Sequence, residues 1–123
     1  KNYPSSPSGM PGVQTLLPIM LNHVNNNKLK LKQLIELVCE NPCKIFGIKN
    51  KGYIKENYDA DLTIINMKKE TILKNDWIQS KCGWTPFNNY KIKGFPVATI
   101  VNGEIIMANN KILSRALGKP LTF

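Results

Sequence analysis

One boundary constrains this chain more than any other. Up to about residue 48 its apolar residues recur at helical spacing, and beyond residue 52 they recur at strand spacing. Val13, Leu16, Leu17, Met20, Leu21 and Val24 share one face of a helix predicted over 13–26. Pro18 belongs in its first turn or marks a kink, because proline supplies no backbone N–H. Asn25, Asn26, Asn27 and Lys28 end it. A second helix carries Leu31, Leu34, Ile35 and Val38 on one face. Asn41-Pro42 followed by Gly47 then predicts a short separate helix, with Asn41 as N-cap, Pro42 at the first helical position and Gly47 past the end.

The second half reads as strands at 52–54, 61–66, 70–73, 90–95, 97–101 and 104–107. In 61–66, Leu62 and Ile64 fall on one face and Thr63 and Ile65 on the other. Asn102-Gly103 asks for a type I′ hairpin turn, whose two central residues both need positive φ. Residues 74–89 form an irregular passage holding Trp77 and Trp84, and the tail from Ser114 to Phe123 is irregular too. The opening stretch, Lys1 to Gly12, is rich in proline, serine and glycine and reads as an extended loop.

Helices segregated from strands mean an α+β arrangement. A few short strands do not close a core, and helices with one apolar face need something to pack on. The chain therefore reads as pieces of two domains, 1–48 and 49–123, with apolar faces left uncovered. Its 123 residues fall well short of the roughly 250 that a (β/α)8 barrel takes. It begins with Lys1 rather than Met and carries no charged-then-apolar signal segment, so more polypeptide is expected upstream.

The formal charge of +9 suggests nucleic acid, but its make-up does not. Of 17 basic residues only Arg115 is arginine, and the lysines are scattered in ones and twos. A nucleic-acid binder keeps arginine for bidentate contacts and clusters its charge. No apolar run approaches the roughly 18–20 residues of a membrane span. Neither nucleic acid nor membrane is an expected partner.

Three cysteines, an odd count without a secretory signal, predict reduced, buried structural thiols and an intracellular, cytoplasmic setting. Cys39 and Cys43 are spaced to face a metal from one helix, but Pro42 interrupts it and His23 is the only histidine. A zinc site needs three or four N/S ligands, so none is expected from this chain alone. His23, between Asn22 and Asn25, is placed on a helix surface or end. The sequence has no serine-centred elbow, no phosphate-cradling glycine loop and no HExxH. Asp59 and Asp61 read as polar turn residues at a strand entrance rather than as paired acids.

The motifs go further than residue types. Pro7-Ser8-Gly9-Met10-Pro11-Gly12-Val13-Gln14-Thr15, followed by Leu16-Leu17-Pro18, resembles the segment just after the last barrel strand of dihydroorotases. Glu40-Asn41-Pro42 with Lys44-Ile45-Phe46-Gly47 is similar to their Glu-Asn-Pro-Ala-Arg-Ile-Phe-Gly stretch. Lys51-Gly52-Tyr53-Ile54 and Tyr58-Asp59-Ala60-Asp61-Leu62 match the return into the small β domain shared across amidohydrolases. Ser80-Lys81-Cys82-Gly83-Trp84-Thr85-Pro86-Phe87, then Lys93-Gly94 and Val101-Asn102-Gly103-Glu104, completes the dihydroorotase pattern. The likeness runs along nearly the whole chain.

The resemblance implies the carboxyl-terminal portion of such an enzyme: the last helices of a (β/α)8 barrel, then C-terminal strands of a composite β-sandwich. It implies reversible interconversion of N-carbamoyl-L-aspartate and L-dihydroorotate in pyrimidine biosynthesis. Zinc would be bound upstream of Lys1, where the His-x-His pair, the bridging lysine, the later histidines and the catalytic Asp all lie. No catalytic or metal residue is then expected here, and the fragment alone would be inactive. Main-chain groups of Ser8 and Gly9 are implied to hydrogen-bond the pyrimidine ring, glycine letting backbone approach a planar ligand. The small-molecule substrate, the upstream part of the same enzyme and further copies of it in a homo-oligomer are the expected partners. The alternatives are an allantoinase- or hydantoinase-like enzyme, or a catalytically silent dihydroorotase-like subunit scaffolding aspartate carbamoyltransferase. Two positions depart from the family. Asn57 stands for a usual Gly, and asparagine tolerates positive φ. Gln14 replaces a common Glu, losing a helix-dipole charge worth about 0.3–1 kcal/mol.

Overall fold

Three helical segments precede a four-stranded antiparallel sheet in the computed structural model, which describes residues 9–114 and 118–123. Helix α1 spans Leu16–Asn25. It starts three residues later than the periodicity predicts, because the Gly12 carbonyl accepts the N–H groups of Thr15 and Leu16 and makes 12–15 a tight turn. Val13 is left 96% exposed, off the apolar face it was assigned to. Pro18 sits buried in the first turn, where its missing N–H costs nothing.

The expected separate helix at Asn41 is instead the end of one continuous helical run. α2 (Leu31–Ile35) passes through a π turn (Glu36–Glu40) into α3 (Asn41–Phe46). Asn41 has helical φ −64 and ψ −41, so it is not an N-cap, and its N–H bonds to the carbonyl of Glu36. That wider turn lets a proline follow at 42 without breaking the run. Gly47 ends it in the left-handed conformation, as expected. Gly52 to Ile54 is not a strand. Gly52 has φ +86 and lies so near the helix that an added Cβ would come within 2.8 Å of the Cys39 carbonyl oxygen.

The sheet runs β1 (Leu62–Ile72), β2 (Lys91–Val101), β3 (Glu104–Ala108) and β4 (Lys111–Ile112), hydrogen-bonded in that order. β1 and β2 each join two stretches that the sequence divides. In β1 the join is an irregularity between Asn66 and Glu70, where Asn66 Oδ1 accepts the N–H groups of Lys68 and Lys69. A second irregularity follows Ile64, where Val97 of β2 is left without a partner between Ala98 and Pro96. Leu62 and Ile64 keep the same face, as expected, with Leu62 half-buried and Ile64 exposed. Asn102 and Gly103 have φ 50 and 84, as a type I′ turn requires. A second turn, at Asn109 and Asn110 with φ 50 and 65, adds β4, which the sequence reading misses. The described part of the tail from 114 carries no helix or strand.

The core consists of Leu73, Ile92 and Phe95, with Ile19, Trp77 and Phe87 packed around it. β3 reaches β2 only over Ala98–Val101, and α1 lies against β2 further back, at Lys93 and Gly94. Gly94 makes this approach possible. It has φ +99, and a Cβ there would stand 2.8 Å from that of Leu21. The cysteines are not buried: Cys39 and Cys82 are exposed, Cys43 is half-buried, and all three are free. They lie on an outer helix face and in a loop, away from the core. The uncovered apolar surface expected from the sequence is present, with Phe46 66% and Ile45 74% exposed on the helical run and Ile72 and Ile105 exposed on the sheet.

Candidate functional site

The loop before α1 is the candidate, and Gly9 is its described end; Ser8 lies outside the described residues. Gly9 is an exposed bend, and among the described residues no atom lies within 4 Å of where a Cβ would stand, its chain neighbours aside. Three residues on, the turn tightens. Thr15, only 1% exposed, gives both its N–H and its hydroxyl to the Gly12 carbonyl, at 3.2 and 3.3 Å.

Gln14 ties this turn to a distant segment. Its Nε2 donates to the Trp77 carbonyl at 2.9 Å, while its Oε1 accepts the Gln79 N–H at 2.9 Å. Sequence reasoning counts Gln14 as a lost charge and misses both bonds. The one clue was chemical: an amide donates and accepts at once, whereas a carboxylate only accepts.

Trp77 belongs to the irregular passage 74–89, which is held by side chains bonding to main chain. Asn75 Oδ1 accepts the Thr85 N–H at 2.9 Å, and Asn88 Oδ1 accepts the Asn75 N–H at 3.0 Å. Thr85, buried, accepts the Phe87 N–H on its hydroxyl. Two main-chain bonds, between Leu73 and Tyr90 and between Asn89 and Leu73, close the base. The Trp77 ring lies 5.3 Å from that of Phe95, which seats the passage on the core.

Asp59 and Asp61 do come together, but around a cation. Lys51 Nζ bonds Asp61 Oδ2 and lies 2.9 Å from Asp59 Oδ2. Asp61 Oδ1 also accepts the Asn102 N–H at 2.8 Å, and the Gly103 N–H bonds the Ala60 carbonyl. Hydrogen bonds from Lys51 and the Asn102 backbone hold the Asp61 carboxyl below the usual carboxylate range. The same bonds to Asp61 and Asp59 raise Lys51 above the ordinary lysine range. Both carboxylates are engaged by Lys51, and Asp61 also by the Asn102 N–H, so the group serves as a latch for the β2–β3 hairpin.

His23 lies half-buried in the last turn of α1. Its neighbours do more than the sequence suggests. Asn22 Oδ1 accepts the Lys93 N–H at 3.0 Å, and Asn25 Nδ2 donates to the carbonyls of Lys93 and Met67 at 2.9 and 3.1 Å. Among the described residues no three His, Cys, Asp or Glu side chains gather where they could hold a metal. No described helix is long and apolar enough to cross a membrane.

Known proteins match this geometry and sequence. Residues 10–106 fit the amidohydrolase family. The dihydroorotase of Pyrococcus furiosus is 39% identical over 112 residues, covering 91% of this chain and 27% of that protein. The dihydroorotase of Methanosphaera stadtmanae is 43% identical over 107 residues, covering 87% and 25%. Among solved structures, the L-hydantoinase (dihydropyrimidinase) of Arthrobacter aurescens superposes with TM-score 0.83 at 35% identity, over 86% of this chain and 24% of that one. A D-hydantoinase (dihydropyrimidinase) from Thermus sp., 18% identical with TM-score 0.80 over 89% and 24%, shares the fold. The chain thus spans about a quarter of the length of the relatives it matches. With the family pattern running through the helices, the latch and the hairpin alike, the chain belongs to the amidohydrolase family.

Proposed function

We propose that this chain is the carboxyl-terminal portion of a dihydroorotase, a hydrolase that interconverts N-carbamoyl-L-aspartate and L-dihydroorotate in pyrimidine biosynthesis. The observation that carries the reading is the identity of 39–43% to two dihydroorotases over about nine-tenths of the chain. The Ser80–Phe87 motif adds weight, since its Thr85 and its neighbours Asn75 and Trp77 are what hold the irregular passage together. In this reading 1–48 supplies the last helices of a (β/α)8 barrel and 49–123 part of a β-sandwich. The exposed apolar residues of the helical run fit helices that pack on further protein.

The part this chain plays is binding. Ser8 and Gly9 present main-chain donors and acceptors to the planar ring, on the loop that follows the last strand, where barrel active sites sit. The Gly12 turn and Gln14 fix that loop from behind. Zinc, held by residues outside this chain, supplies activation of the attacking water in such enzymes. The protein is cytoplasmic and homo-oligomeric in this reading, and the isolated fragment is inactive.

Incubating the full-length protein with L-dihydroorotate and detecting N-carbamoyl-L-aspartate tests the reading. Product formation supports it, and its absence with metal present defeats it. One observation favours a second reading: the 35% identity and TM-score of 0.83 to an L-hydantoinase fit another cyclic-amide hydrolase. Turnover of hydantoins or allantoin without turnover of dihydroorotate would establish that alternative. A dihydroorotase-like scaffold for aspartate carbamoyltransferase predicts no turnover of any of them and no metal-binding histidines upstream.

A further inference from the structure

We propose that Gln14 is a positioning residue for the substrate-facing loop, fixing where the Gly9 main chain meets the ring. The inference rests on the reading of Ser8 and Gly9 as substrate contacts. Its physical basis is the double bond pattern of one side chain. The Gln14 amide donates to the Trp77 carbonyl and accepts the Gln79 N–H, both at 2.9 Å, as a strand neighbour would. The two partners flank Ile78, so the amide bridges consecutive outward-facing groups of one extended segment.

That segment is itself fixed, because the Trp77 ring packs at a tilt, 5.3 Å from that of Phe95, a residue of the core. On the other side, Gln14 lies inside the turn closed by three bonds to the Gly12 carbonyl. Pro11 restricts the backbone between that turn and Gly9. Gly9 is thus linked to the core through Gly12, Gln14 and Trp77, and no bond to a Gly9 atom is needed.

In this chain the amide meets one acceptor and one donor at once, where the family commonly has Glu. Glutamate at 14 accepts the Gln79 N–H but sets its second oxygen against the Trp77 carbonyl, with no proton between them. Alanine removes both bonds and frees the loop. Neither change touches a group that takes part in bond breaking, so the effect falls on binding.

The experiment uses the full-length protein, measuring kcat and KM for dihydroorotate in wild type, Gln14→Ala and Gln14→Glu. Asp61→Asn, in the distant hairpin latch, serves as a structural control. Losing one or two hydrogen bonds at the loop is expected to raise KM roughly 3- to 10-fold. The kcat should stay within about twofold, since the interaction is made equally in the ground and transition states. An unchanged KM, or an equal rise in Asp61→Asn, overturns the inference. If Gln14→Ala does not accumulate as folded protein, Gln14→Glu, which keeps the side-chain shape, carries the comparison alone. Failure of the underlying reading is distinct: wild type itself then gives no dihydroorotate turnover. In that case amide exchange at Gly9, Met10 and Gly12 decides the anchoring, faster exchange in the variants supporting it and unchanged exchange defeating it.

Discussion

Asn22 accepts the main-chain N–H of Lys93 on its side-chain oxygen at 3.0 Å, from a helix to a strand with no backbone pairing between them. One turn on, Asn25 returns a donor to the Lys93 carbonyl at 2.9 Å. Both polar groups of one strand residue are thereby satisfied by side chains of α1, where β3 does not reach. A bare strand edge would need water or another chain at that point. Asn22→Ala leaves the Lys93 N–H without its partner. It should cost about 1–2 kcal/mol, and amide exchange at Lys93 should accelerate more than at Ile92, whose residue pairs with Thr71 of β1. Equal acceleration at both would contradict the clamp.

Gly94 sits directly under that contact. Its φ of +99 is strained for any side chain, and a Cβ would stand 2.8 Å from Leu21 Cβ and 3.0 Å from Asn25 Nδ2. Gly94→Ala therefore combines backbone strain with overpacking and should destabilise by roughly 2–4 kcal/mol. The urea midpoint checks it, with Gly118→Ala as the reference, since among the described residues nothing lies within 4 Å of a Cβ there. Similar midpoints for the two variants would rule out close helix–strand packing.

These contacts mark the limit of what the sequence discloses. Periodicity locates the helices and strands because burial of one face is a local pattern, and Asn102-Gly103 fixes a hairpin because φ demands are local too. Asn41 goes astray where a π turn alters the period, which has no residue signature. The roles of Gln14, Asn22 and Asn25 are hidden because these partners are 42 to 71 residues away. Ser8 and Gly9 are legible by motif alone, and Gly9 lies on an exposed bend just before the turn closed on the Gly12 carbonyl.

The latch at Lys51 makes stability depend on pH. The Asp61 carboxyl is lowered by Lys51 and by the Asn102 N–H. Its contribution is present above the ordinary carboxylate range and is lost as pH falls through the lowered value. Lys51 is raised, so its contribution is present below the ordinary lysine range and is lost as pH climbs through the raised value. Because these groups are partly in solvent, Asp61→Asn should cost only about 0.5–1 kcal/mol at neutral pH. The gap to wild type should close in strong acid. A gap that stays constant down to the acid limit would mean the carboxylate charge is irrelevant to the hairpin.

The most direct test of the account is kcat/KM of the full-length protein for L-dihydroorotate beside that for hydantoin. The account predicts a clear preference for dihydroorotate, with N-carbamoyl-L-aspartate as the product of ring opening. Preference for hydantoin, or no ring opening of dihydroorotate in metal-replete protein, would contradict it.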